Sequence, residues 1–307
     1  MIKQDYVIPE LYLFLSADII DSTQLKYSKE NIKKQHYWYN CFLRFYEDFP
    51  IQLENRINSL LKDFHLKTRI KLVIWKYIGD ELLFYIKIKR ENEVPCIIKA
   101  FEKTLSEWYT IKENKYTKLK GCAWIGQFPF IDRRIVTDNN QLDFLGTSID
   151  CGFRLGKYAS ENLIILSIEV VDLCLKSKFS NLGIVYLKTE KLKGVLDNFN
   201  YPIFALIFST IKSDEHKYLY QKDEGNIESY INKYYEKLSK KYAETISRID
   251  SNIKNYLDSK IELSKNIIDK TNSIKTEMQL EEALNKNNTA KKDYINYIDK
   301  YKIKTKE

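Results

Sequence analysis

The sequence predicts a domain that mixes strands and helices, of the α+β class, followed by a helical C-terminal extension. Two observations carry the first half of that statement. Short β-branched and aromatic runs alternate with longer segments of helical period, and two of those runs are broken by Gly79-Asp80, a hairpin signal. A third observation carries the second half: all nine glycines, five prolines, five cysteines and four tryptophans lie at or before Gly225, whereas 226–307 is rich in Lys, Asn, Ile and Tyr. Taken in chain order, strands are expected at 11–19, at 69–88 as a hairpin, and at 119–127, 162–167, 182–188 and 201–208. Helices fit 29–47, 94–112, 146–158 and 168–175, the first with Tyr37, Phe42 and Phe45 on one face. Beyond residue 225, apolar residues recur at helical steps (Ile246, Ile249, Ile253, Tyr256, Leu257) among i,i+4 charge pairs, which predicts one or two long helices packed on the domain or on a partner subunit. The expected units are 1–212 and 213–307.

Composition narrows the function. At 307 residues the chain can bury a sizeable core. Its net charge of +8 is spread over both signs, which does not point to a nucleic-acid partner and suits a phosphorylated small substrate. No stretch reaches the roughly 18–20 uncharged apolar residues of a membrane span, and the first ten residues lack the order of a signal peptide. Cys41, Cys96, Cys122, Cys151 and Cys174 show no metal-ligand spacing, so the expectation is a soluble protein of a reducing cytoplasm. Three scattered histidines leave little for a His-based zinc site or a Ser-His-Asp triad. Chemistry is left to carboxylates, lysines and arginines.

Three segments place charged residues where a strand ends or a hairpin turns, positions poor for core and good for sites. In SADIIDST (16–23), Asp18 interrupts an apolar strand; in KYIGDELLF (76–84), Asp80 sits at a glycine turn. Each alone reads equally well as a cap or a hairpin tip. Together, two carboxylates brought close repel one another unless a divalent cation lies between them, which suggests a Mg²⁺ or Mn²⁺ site. In DFLGTSIDCGFRLGKYA (143–159), a strand end passes through Gly146 into a helix on which Asp150 and Arg154 share a face. An intrahelical ion pair is the simpler reading of that spacing.

Together these segments resemble the class III nucleotidyl cyclase domain over roughly residues 9–210. The family pattern is an Asp after strand one, a Lys-x-x-Gly-Asp hairpin, and an Asp-x-x-Gly-x-x-x-Asn-x-x-x-Arg segment; the matches are Asp18, Lys76-Tyr77-Ile78-Gly79-Asp80, and Asp143, Gly146, Asp150 and Arg154. The resemblance implies a ferredoxin-like, palm-type fold, a central and mostly antiparallel sheet flanked by helices. It implies two divalent ions, Mn²⁺ or Mg²⁺, held by Asp18, Asp80 and the Ile19 carbonyl, with Lys76 and Asp143 on the base and Arg154 on the α-phosphate. Lys193 is the candidate for the triphosphate, in competition with Lys188 and Lys191. It implies further a head-to-tail homodimer in which each site draws on both subunits, so that the monomer is inactive.

The choice of nucleotide rests on finer likeness. Lys76 with Asp143 looks like the adenine-reading pair of adenylate cyclases. SADIIDST, GDELLF, the compact layout and the LKGV…YPIFAL ending look instead like the bacterial uridylate and cytidylate cyclases of the Pycsar anti-phage system. Tyr77, Trp124 and Phe144 are available to narrow a pocket around a small pyrimidine, or to pack as core. Asp150 departs from the family's Asn, which orients the sugar; a carboxylate there accepts hydrogen bonds and repels phosphate unless a cation neutralises it. The expectation is conversion of UTP to cyclic UMP, a messenger for a separate cyclic-nucleotide-binding effector in anti-phage defence. The alternatives are a cytidylate cyclase, an adenylate cyclase, a degenerate nucleotide-binding scaffold, and a palm-domain relative such as a diguanylate cyclase or polymerase. The Gly-Gly-Asp/Glu-Glu-Phe signature of diguanylate cyclases is missing, since the hairpin reads Ile78-Gly79-Asp80-Glu81.

Overall fold

A computed structural model describes residues 10–27, 37–128, 132–136, 142–176, 182–196, 199–210 and 227–247. Its first strand is β1 (Glu10–Ile19), whose apolar run is long enough to be buried on both faces and which therefore takes an interior place in the sheet. The hairpin expected at 69–88 forms as β2 (Val73–Ile78) and β3 (Glu81–Ile88) around a left-handed Gly79. With β4 (Leu119–Phe128), β7 (Leu163–Leu166), β8 (Ile184–Lys191) and β9 (Asn200–Ile207) these strands make a seven-stranded sheet in the order β2-β3-β1-β4-β7-β9-β8. Every neighbouring pair is antiparallel except β4 with β7. The fold is thus α+β with a mostly antiparallel sheet and helices against it.

After the short α1 (Ser22–Lys26), α2 (Tyr37–Asp63) corrects the expectation at 29–47: residues 28–36 lie outside the described ones, and the helix continues sixteen residues past 47. Pro50 lies inside the helix and removes one ladder bond at a cost of about 3 kcal/mol. Phe45, Phe49, Leu53, Ile57 and Leu61, at steps of four, are fully buried and each contributes about 1.5–3 kcal/mol, which outweighs that cost. α2 and α3 (Glu93–Glu107) cover one face of the sheet, where Phe49 meets Phe84, Phe101 and Trp108. α3 stops five residues short of the expected end, in two short 3₁₀ turns.

The opposite face carries an aromatic layer of Phe14, Trp75, Trp124 and Phe144, covered by α4 (Thr147–Gly156). A two-stranded sheet, β5 (Asp132–Val136) with β6 (Leu142–Gly146), leads into that helix; only its last strand end was foreseen. α5 (Ile168–Leu175) falls where the periodicity placed it. The tail begins as α6 (Ile227–Ser247), docked through Ile227, Ile231 and Tyr234, with Tyr230 stacked on Tyr186 at 4.9 Å. The boundary expected at 212/213 and the helices expected beyond 247 lie outside the described residues. All five cysteines are free and buried, and among the described residues no helix is long and apolar enough to cross a membrane.

Candidate active site

The sheet brings the two predicted aspartates to one corner. Register pairs Asp18 with Glu81 on β3 and with Lys120 on β4, so all three side chains leave the same face. The Ile19 N–H donates to the Asp80 carbonyl at 3.3 Å, tying the hairpin tip to the end of β1. From α2, the Tyr46 hydroxyl donates to the Gly79 carbonyl while its ring meets Tyr77 edge-on at 5.3 Å.

Charge in this corner is unbalanced. Asp18 Oδ2 takes the Lys120 ammonium at 3.0 Å, but Asp18 Oδ1 is buried without a hydrogen-bond partner. Burial, only partly opposed by Lys120 and reinforced by Asp80 and Glu81, pushes the Asp18 carboxyl up to about 6. Burial and the Asp80 charge raise Glu81 as well, although the Ser16 hydroxyl donates to it. An orphaned oxygen among three acids fits a hard divalent cation. Among the described residues no group of three or more His, Cys, Asp or Glu side chains is placed to hold a metal. Two carboxylates and a main-chain carbonyl would leave the remaining positions to water and phosphate oxygens, as Mg²⁺ and Mn²⁺ take them.

The predicted base contacts also meet. A bulge between Ile74 and Lys76 lets two consecutive side chains of β2 reach one carboxylate. Lys76 Nζ lies 2.8 and 2.9 Å from the two Asp143 oxygens, the Trp75 indole donates at 3.0 Å, and the Phe144 N–H at 2.8 Å. Burial raises the Asp143 carboxyl, and Lys76, the Phe144 N–H and the indole together outweigh it, holding the group below its ordinary value. The pair remains partly open to solvent and offers a donor beside an acceptor. Of the aromatic residues expected nearby, Tyr77 is 56% exposed beside the hairpin tip, whereas Trp124 and Phe144 are each 1% exposed and form the layer beneath Asp143.

Arg154 is set by α4, and α4 by long-range contacts. The buried Asp132 accepts from the Gln127 and Ser148 main chains at 2.8 and 3.0 Å, capping the helix from β5. Gly146 has a φ of +147, and a methyl group there would stand 2.2 Å from Asp132 Oδ1. One on Gly152 would lie 2.2 Å from the Trp124 indole, so the helix rests directly on the aromatic layer. Asp150 is exposed and, among the described residues, makes no ion pair with Arg154. Arg154 Nε is buried without a partner, and its Nη2 borders Gly194, 3.5 Å from where a methyl on that residue would sit. Exposed Lys193 precedes Gly194 on the same turn. Its competitor Lys188 is committed to Glu190 at 2.7 Å and to the Tyr158 ring at 4.7 Å. Among the described residues no hydrogen bond or ion pair joins Arg154 or Lys193 to Asp18 or Asp80.

Sequence reasoning missed Lys120, Trp75, Asp132 and Tyr46. Strand alternation puts Lys120 on the Cys122–Trp124 face, but only the β1–β4 register sets it opposite Asp18. The bulge, the distant cap and the helix-to-hairpin contact leave no sequence signal of their own.

No protein-family model and no curated protein matches the chain. Solved structures do resemble it. The catalytic core of a rhodopsin-guanylyl cyclase with converted specificity, in complex with ATPalphaS, is 12% identical over 66% of this chain and 98% of that one, with a TM-score of 0.44. The guanylate cyclase domain of RhGC from Catenaria anguillulae, in complex with GTP, is 12% identical over 65% and 97%, with a TM-score of 0.42. The adenylyl cyclase CyaB from P. aeruginosa is 12% identical over 68% and 98%, with a TM-score of 0.43.

Proposed function

We propose that the protein is a nucleotidyl cyclase, converting UTP to 3′,5′-cyclic UMP and pyrophosphate in a homodimer. The observation that carries this reading is the acidic corner, where Asp18 presents a buried, unpartnered oxygen beside the Asp80 hairpin. The partly open Lys76–Asp143 pair and the unpartnered Arg154 Nε support it with groups suited to a base edge and a phosphoryl oxygen.

In the reaction the ribose 3′-oxygen forms a bond to the α-phosphorus, the bond from that phosphorus to the β-phosphate oxygen breaks, and the hydroxyl proton is lost to solvent. Mn²⁺ or Mg²⁺, bound by Asp18, Asp80 and the Ile19 carbonyl, would supply the charge that acidifies the hydroxyl and offsets the triphosphate. Lys76 would donate to the uracil O4 and Asp143 accept from N3–H, fixing the base. Arg154 would donate to the α-phosphoryl oxygens where charge develops, Lys193 would hold the leaving pyrophosphate, and Asp150 would accept from the sugar. Tyr77 would border the base from the hairpin, with Phe144 beneath Asp143 keeping the pair in place.

A second copy of the chain fits the geometry. Among the described residues no hydrogen bond or ion pair joins the acidic corner to the Arg154 helix, and Val136 (65% exposed), Leu145 (54%) and Phe153 leave an apolar surface beside Asp143 and Arg154. The preference for UTP rests on the likeness of the 16–23, 79–84 and 192–206 segments to Pycsar cyclases, as does a role in anti-phage signalling through a separate effector. An adenylate cyclase is the second reading: adenine N1 and N6 would meet the same donor and acceptor at Lys76 and Asp143.

The test is incubation of the full chain with MnCl₂ and ATP, GTP, CTP or UTP in turn, with products identified by mass. Cyclic UMP from UTP is expected. Cyclic AMP alone would overturn the base preference, and no cyclic product from any nucleotide would overturn the activity.

A further inference from the structure

Leu196 adopts a φ of +43 although it is bulky and buried, a conformation that surroundings must hold in place. It closes the turn that begins at Leu192, where the Val195 N–H bonds the Leu192 carbonyl at 3.0 Å, and this turn carries Lys193 and the Gly194 that borders Arg154. What stands on the other side of Leu196 is the tail. Leu196, Tyr234 and Leu238 line a cavity of about 20 Å³ together with Trp124, Cys151 and Glu169, room for one water molecule. Within it the Tyr234 hydroxyl donates to Glu169, a buried carboxylate on α5, while the Tyr234 ring packs on Phe199 at 6.2 Å and on Tyr201 at 5.8 Å. Phe199 bonds back to the Leu196 carbonyl at 3.1 Å. A chain of contacts therefore runs from the tail helix through the strained residue to the cationic side of the site.

We propose that α6 is a positioning element for that side: Tyr234, anchored on Glu169, holds the 192–196 turn in its strained form and so keeps Lys193 beside Arg154. Undocking the tail would let Leu196 relax and move the turn away, leaving the acidic corner untouched. Tyr234 is thereby a positioning residue, and the catalytic part of its role rests on the function proposed above. In this arrangement anything that grips or releases the C-terminal segment would raise or lower turnover without touching the substrate.

The experiment compares amide hydrogen exchange in the full chain, wild type against Tyr234→Phe, with Tyr230→Ala as a second variant that loosens α6 at the Tyr186 stack. Loss of the buried hydrogen bond is expected to raise exchange at 192–196 by about tenfold, with β3 unchanged. The Tyr230→Ala chain should show the same local pattern. Unchanged exchange at 192–196 in both variants, or an equal rise in β3, would overturn the coupling. In parallel, kcat with the preferred nucleotide should fall about tenfold while the dissociation constant for Mn²⁺ alone, measured by titration calorimetry, stays constant. An unchanged kcat beside raised exchange would overturn the positioning role. A wild-type chain that makes no cyclic product but shows the exchange pattern would overturn the cyclase reading and leave the coupling standing.

Discussion

The acidic corner and the cationic helix are built by opposite means. Asp18 and Glu81 face one another on adjacent strands, and Asp80 sits in the tight turn just before Glu81, so ladder register and one hairpin bring all three together within eighty residues of chain. Arg154 and Lys193 have no such frame: α4 is capped from β5 by Asp132, seated on Trp124 through Gly152, and bordered by a turn that the tail helix props. Local pairing yields a stiff corner that tolerates change elsewhere. Long-range support yields a site that distant residues can tune.

The largest effect is expected at the acidic corner itself. Asp80→Ala should lower turnover by at least about a thousandfold, several kcal/mol of charge stabilisation being lost, while the Tm stays close to wild type because the turn side chain is not core. Activity within tenfold of wild type would remove Asp80 from the chemistry. On the other side, Gly152→Ala drives a methyl group into the Trp124 indole, and overpacking of this kind costs about 1–3 kcal/mol. Turnover should fall through displacement of Arg154, with Mn²⁺ affinity retained; calorimetry and kinetics on the same preparation would show whether the two separate.

A smaller effect sharpens the contrast through pH. Burial pushes the Asp132 carboxyl up to about 6, against hydrogen bonds from Gln127 and Ser148. Below the ordinary carboxylate value of about 4, both folded and unfolded chains hold this proton. Between about pH 4 and 6 the unfolded chain releases it and the folded chain keeps it, so this group's contribution to stability falls as pH rises and is level above about 6. The stability of wild type relative to Asp132→Asn should therefore drop by on the order of 3 kcal/mol from pH 4 to 6.5 in urea unfolding, and a difference independent of pH would mean that the helix cap does not titrate this way.

These same two regions show what sequence can disclose. The strands at 11–19, 119–127 and 201–208 and the hairpin at Gly79-Asp80 were legible because short apolar runs rich in β-branched and aromatic residues and a glycine turn are local signals, and with them came Asp18 and Asp80. Asp143, Asp150 and Arg154 were legible as a motif, but their placement was not. Asp132 is one carboxylate among many until the Ser148 N–H is seen to point at it, and Trp75 reads as core until the bulge turns its indole toward Asp143. Burial of a helical stripe overrode Pro50 in α2, a contest between a local penalty and a tertiary gain that only the packed state decides. The Asp150–Arg154 spacing suggested an ion pair; with Asp150 exposed and Arg154 turned toward Gly194, the guanidinium is left for another partner.

In the proposed homodimer one site is assembled from the acidic corner of one protomer and the cationic helix of its partner, and mixing two inactive proteins checks that sharing. Asp80→Ala and Arg154→Ala chains, each without turnover alone, are combined at equal concentration and allowed to exchange subunits. Half of the dimers would then be mixed, each with one intact site of two, so activity should return to about a quarter of the wild-type value. No recovery at any ratio, with subunit exchange verified, would contradict the shared site.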